Sequence, residues 1–258
     1  MKKGFVLSML LIGYLHGFAQ TKQYIYGNQV WYGYYPQLRL SKHWGLWTDL
    51  ELHSKEHFLE GVSQFVFRFA GTYYITDRTK LTAGYGYSNT YPADNHLFIA
   101  QPEHHAWEQL QWYTLHAKKK MMEWLRLEER YKQHVENNYT LANYYDFSYR
   151  IRYELSYQLP LSSKGVAAHQ FSLALGEEIY INFGKKIVNN YFDQNRLFGG
   201  ISYMVNDHDN IVLGYMNQFQ QLPAGNQYKN FNVIRLSFYQ NLYTGSNKKE
   251  VNEIKGLQ

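Results

Sequence analysis

Residues 146–160, DFSYRIRYELSYQLP, alternate without a break. Phe147, Tyr149, Ile151, Tyr153, Leu155, Tyr157 and Leu159 fall on one side, and Asp146, Ser148, Arg150, Arg152, Glu154, Ser156 and Gln158 on the other. Successive side chains of a β-strand point to opposite faces, so a two-residue period reads as a strand between two unlike environments. The pattern recurs in FVFRFAGTYYI (residues 65–75) and KLTAGYGYS (residues 80–88). A chain patterned in this way is confined to an all-β fold. What needs explaining is a charged face opposite so aromatic a one.

Composition narrows the class. The chain has 26 tyrosines and is 18% aromatic, yet its mean hydropathy is −0.53. Apolar groups are interleaved with polar ones, and no internal run approaches the roughly 20 apolar residues of a spanning helix. A transmembrane β-barrel fits, because its strands alternate and its hydropathy signal is weak. The first 19 residues pair Lys2 and Lys3 with an apolar run from Phe5 to Leu15 and small residues at Gly17 and Ala19. This reads as a secretory signal peptide, residues 1–19, and implies export. The absence of cysteine excludes a lipid-anchored junction, disulfides and Cys-ligated metals. The basic residues behind the net charge of +5 are scattered, which argues against a nucleic-acid partner.

Eleven candidate strands run from residue 30 to residue 243. The segment AKKKMMEWLRLEERYKQH is read as a strand despite its helix formers, because a helix would interrupt a uniform series of hairpins. The connections alternate in length: SKH, TDR, AKK and NDHD are short, whereas HSKEHFLEGV, NTYPADNHLFIAQPE, KQHVENNYTLAN and NFGKKIVNNY are long. Outer-membrane barrels have short periplasmic turns and long external loops. Adding a short strand around Lys22–Gly27 puts the short turns on the periplasmic side. The expectation is an antiparallel up-and-down transmembrane barrel of about 12 strands, with ten as the alternative, over residues 20–243. A polar tail follows at 244–258. LSSKGVAA, after residue 160, is longer than a turn on its side should be.

In such a barrel the aromatic face meets lipid, and tyrosines near strand ends, such as Tyr34, Tyr35, Tyr157 and Tyr239, suit an interfacial girdle. Parity assigns to the lumen Arg39, Asp49, Glu51, Arg68, Arg126, Glu128, Arg130, Arg150, Arg152, Glu154, Glu178, Arg196 and Arg235. Charges in a narrow interior must be paired or hydrated. An Arg/Glu network carried by Arg126, Glu128, Arg130, Arg150, Arg152, Glu154, Glu178 and Arg196 would leave a narrow or closed channel.

EHHAWEQLQW (103–112), RLEER (126–130), FDQNR (192–196) and the pairs Gly84-Tyr85 and Gly214-Tyr215 resemble an uncharacterised family of exported Gram-negative proteins, domain-of-unknown-function family 2490. The resemblance covers most of the chain after the signal segment. It implies an outer-membrane, barrel-like fold and outer-membrane lipid as partner, but no reaction. The family pattern carries arginine at His105 and glutamine at Glu129. No catalytic residue, metal site or cofactor is assigned. His104 and Glu108 have the i, i+4 spacing of helical metal ligands, but on a strand they lie over 10 Å apart at ~3.3 Å per residue. Serines and histidines occur without a G-x-S-x-G motif, and GYG at 84–86 lies inside a strand. The favoured expectation is a structural or small-solute transport barrel. A barrel enzyme acting on lipid or envelope material, and a soluble periplasmic ligand-binding protein, are the alternatives.

Overall fold

The computed structural model describes residues 21–55, 61–92, 98–116 and 119–244. The signal segment and the polar tail beyond Thr244 lie outside the described residues. Eleven strands follow one another: β1 (Gln23–Arg39), β2 (Trp44–Ser54), β3 (Val62–Thr76), β4 (Thr79–Thr90), β5 (Gln101–His116), β6 (Lys119–Asn137), β7 (Thr140–Pro160), β8 (Phe171–Phe183), β9 (Phe192–Met204), β10 (Asp209–Gln221) and β11 (Gln227–Tyr243). Each pairs antiparallel with the next, and β1 and β11 pair in parallel to close the barrel. Among the described residues no helix is long and apolar enough to cross a membrane, which says nothing of strands.

The strand count corrects the expectation of twelve. The segment Lys22–Gly27 is not a separate strand but largely the start of β1, which runs unbroken to Arg39. Gly27 lies within β1 and makes room at the closing seam. A Cβ on Gly27 would stand 3.0 Å from the Phe231 ring across the closing seam. With an odd count the closure has to be parallel, and the first and last strands point the same way.

The connections sort largely by length between the two ends. Residues 40–43, 77–78 and 205–208 lie at one end, called here the short-turn end, together with the longer 161–170; β5 ends there at His116 and β6 starts there at Lys119. The other end carries 184–191, 222–226 and the two-residue turn 138–139, and β2, β3, β4 and β5 meet it at Ser54, Val62, Thr90 and Gln101. The expected long loop KQHVENNYTLAN is mostly strand: β6 and β7 extend past two register shifts to Asn137↔Thr140.

The outer wall is apolar over most of its height. Leu50, Phe69, Leu81, Leu110, Leu125, Ile151, Leu175, Leu197, Leu213 and Leu236 are all exposed. Aromatic side chains cluster toward both rims. At the long-loop end Tyr24 and Phe219 stack on Tyr228 (5.5 and 5.3 Å), and Phe147 packs on Tyr131 and Tyr149. At the short-turn end Trp44 meets Tyr73, Tyr34 meets Phe238 and Phe171 meets Tyr203. Tyr35 and Tyr239 correct the expected girdle, because they stack on each other at 4.7 Å and border the interior cavity. The outer face also carries Glu108, Glu123, Glu129 and Glu177. Glu123 accepts hydrogen bonds from Trp112 Nε1 and Tyr153 OH, and Glu177 accepts one from Asn195.

Candidate functional site

The interior is lined mainly by polar and charged side chains, with small apolar clusters around Met216 and Val233 and around Trp47 and Trp107. Its buried residues include Arg39, Asp49, Arg68, Glu103, Arg126, Glu128, Arg152 and Glu178 beside Trp31, Trp107 and Tyr180. The β6/β7 register explains the centre. Glu128 lies directly opposite Arg150, and the like-charged pair Arg126 and Arg152 occupies the next inward position, so three guanidinium groups surround one carboxylate. Glu128 is 0% exposed. One of its oxygens takes Arg152 at 2.8 Å and the other Arg150 at 2.5 Å, with Arg126 at 3.8 Å. Arg152 passes the chain to Glu178 at 2.5 Å, and Glu178 to Arg196 at 3.6 Å. Arg150 also reaches Asp193 at 3.2 Å. Buried ion pairs persist only where the remaining donors and acceptors are also met. Here many of them are.

Six of the eight residues singled out from sequence therefore form one connected chain. Arg130 belongs to another: it holds Glu103 through Nε (2.6 Å) and Nη2 (2.7 Å). Across the barrel Arg68 binds Asp49 at 2.7 Å and Glu51 at 3.2 Å, and its Nε donates to His105 Nε2 at 3.3 Å. His105 fits because residue 86 is glycine; a Cβ there would fall 2.1 Å from the imidazole. This accounts for the second glycine of GYG as a space-making strand residue. Glu154 makes no ion pair among the described residues.

Aromatic rings fill between the guanidinium groups, and composition alone did not point to them. Arg126 lies over Trp107 at 4.3 Å, Trp124 at 5.0 Å and Trp47 at 5.6 Å. Tyr180 lies between Arg152 (4.5 Å) and Arg196 (4.7 Å) and donates its hydroxyl to Glu178 at 2.7 Å. Arg196 also covers Trp31 at 4.7 Å. Cation–π contacts strengthen as water is excluded. Glu103 was legible in the alternation of EHHAWEQLQW, which carries 103, 105, 107, 109 and 111 inward. Asp193 was not. A register shift near Tyr180/Ile181 lets Asp193 and Gln194 both turn inward, which strict parity forbids.

Above this belt, toward the short-turn end, the interior opens into a chamber of about 300 Å³. Its walls include Arg39, Tyr74, Lys80, Tyr113, Lys120 and Gln158, all close to the short turns. On the β7–β10 side the lining is small: Ser156, Ala174, Gly176 and Ser202. Among the described residues no group of three His, Asp or Glu is placed to hold a metal ion. His104 is instead hydrogen-bonded to Tyr85 and packs against Tyr87 and Tyr145.

Fold and interior define a closed β-barrel whose lumen is crosslinked by ion pairs. Residues 28–229 match the model of a family described as protein of unknown function (DUF2490), and the chain belongs to that family. No curated protein and no solved structure matches it.

Proposed function

We propose that this protein is an outer-membrane β-barrel of exported type, closed at mid-height, with a structural or solute-binding role rather than that of an open pore. The observation that carries the membrane reading is the outer wall. Mostly aliphatic side chains, with Phe69, Tyr85 and Tyr215 among them, occupy its middle, and further aromatic ones gather toward both rims, the arrangement that a lipid bilayer stabilises. A soluble barrel would put this surface in water, where exposed apolar patches beyond a few hundred Å² are rare. The N-terminal signal pattern supports the same location. Closure rests on the belt of Arg, Glu and aromatic side chains around Glu128, which leaves no roomy path at that level.

Two measurements test the reading. After expression with its own leader, the protein should fractionate with outer membranes and need detergent for extraction; recovery in the soluble periplasm would refute it. In planar bilayers the purified protein should give no steady conductance. A sustained ohmic current would show that the belt does not close the lumen.

A further inference from the structure

The chamber has more positive charge than its own carboxylates neutralise. Asp49 and Glu51 are taken by Arg68, Glu178 by Arg152 and Arg196, and Asp77 by Arg39. Among the described residues, Lys80, Lys120 and Arg235 of the buried lining make no ion pair, and Arg126 has only Glu128, at 3.8 Å and shared with Arg150 and Arg152. Lys80 donates only to the neutral Gln37 side chain at 2.7 Å. Lys120 lies over the Tyr113 ring at 4.5 Å. Arg235 covers Phe198 at 5.2 Å and points Nη1 at the sulfur of Met216. Arg126, 4% exposed, has a buried Nη1 with no hydrogen-bond partner. Lys80 and Lys120 are also more than nine-tenths buried. Glu154, an inward lining carboxylate without an ion pair among the described residues, offsets at most one of these cations.

Burying unmatched like charges is costly, and the cost falls if an anion enters among them. The rest of the lining fixes what kind of anion. Trp47, Trp124, Tyr35 and Tyr239 offer ring faces beside the cations, so an apolar body is accommodated as well as a charged head. The volume lies at the small end of ligand pockets.

We propose that the chamber binds a small organic anion, a carboxylate or phosphate ester on an apolar body, admitted from the short-turn end. The head group meets Arg126 and Arg235 at the floor, with Lys80 and Lys120 nearer the mouth, and the body lies against the tryptophans. This deepens the reading of a lumen blocked at mid-height. The two fail separately, because closure is read from conductance and the site from equilibrium binding.

The test uses full-length protein in zwitterionic detergent, with Trp47 and Trp124 as fluorescence reporters. The probes are phenyl phosphate, its uncharged counterpart benzyl alcohol, and inorganic phosphate. Phenyl phosphate should bind saturably and about tenfold or more tightly than either control, the scale of one charge-assisted hydrogen bond. Lys80→Gln with Lys120→Gln should weaken phenyl phosphate about tenfold and leave benzyl alcohol unchanged. Arg235→Gln is a second variant with the same expectation, and near-UV circular dichroism checks that each is folded. Equal affinity for benzyl alcohol, equal affinity for inorganic phosphate, absence of saturation, or folded charge variants that bind as well as the parent would each overturn the proposal.

Discussion

The belt and the chamber share the same strands, and a few residues separate them. On β6, β7 and β8 the belt contributes Glu128, Arg152, Glu178 and Tyr180; further toward the short turns the same strands offer Met122, Ser156, Gly176 and Ala174. The backbone wall is continuous through both levels. What differs is side-chain volume and charge pairing at each register position. Whether such a lumen is solid or hollow is thus decided layer by layer, not by strand number alone.

The sharpest way to break the contrast is to damage the belt. Glu128→Ala removes a fully buried carboxylate and strands Arg126, Arg150 and Arg152 without it. The expected loss is about 3–5 kcal/mol, read from denaturant unfolding in detergent. A smaller effect of opposite sign is expected from a carboxylate on the outside. Glu108 is exposed on the outer wall, and Glu108→Leu should stabilise the protein in lipid vesicles by about 1 kcal/mol, since outward acidic residues there are disfavoured less strongly than basic ones. A destabilisation would mean that this face is wet. In the chamber, Ser156→Leu should fit the open volume. Its stability should change by under about 1 kcal/mol, while phenyl phosphate binding is lost. A large destabilisation would show that the chamber is packed after all. Least of all should come from Lys186→Ala. Its pair with Asp146 spans 3.3 Å, but Lys186 is 64% exposed, and such surface pairs contribute about 0–1 kcal/mol.

Much of the wall was legible in sequence because one face of every strand has to be apolar. DFSYRIRYELSYQLP places its aromatic set outward and Arg150 and Arg152 inward, and RLEER is strand in spite of its helix formers. Parity says only which side a residue is on. It cannot say which inward charges meet. Arg130 and Arg126 are four residues apart on one strand, yet they serve different partners, since partner choice depends on registers set by strands far away in sequence. The miscounted strand came from the loop argument: an extra strand around Lys22–Gly27 was needed only to bring the short turns to the periplasmic side, and the parallel pairing of β1 with β11 closes the barrel without it. Asp193 was hidden by the register shift that carries it inward. Tyr35 and Tyr239 were misplaced because nearness to a strand end says nothing about the face.

The parallel seam has a practical consequence. Because β1 and β11 run the same way, Gln23 and Tyr243 stand at opposite mouths of the barrel. Thr244 hydrogen-bonds to the carbonyls of Arg39 and Leu40, so the chain leaves β11 on the rim of the chamber. A fusion or affinity handle joined directly after Thr244 would therefore emerge at the rim of that entrance. One placed ahead of Gln23 would emerge on the far side and leave the entrance clear.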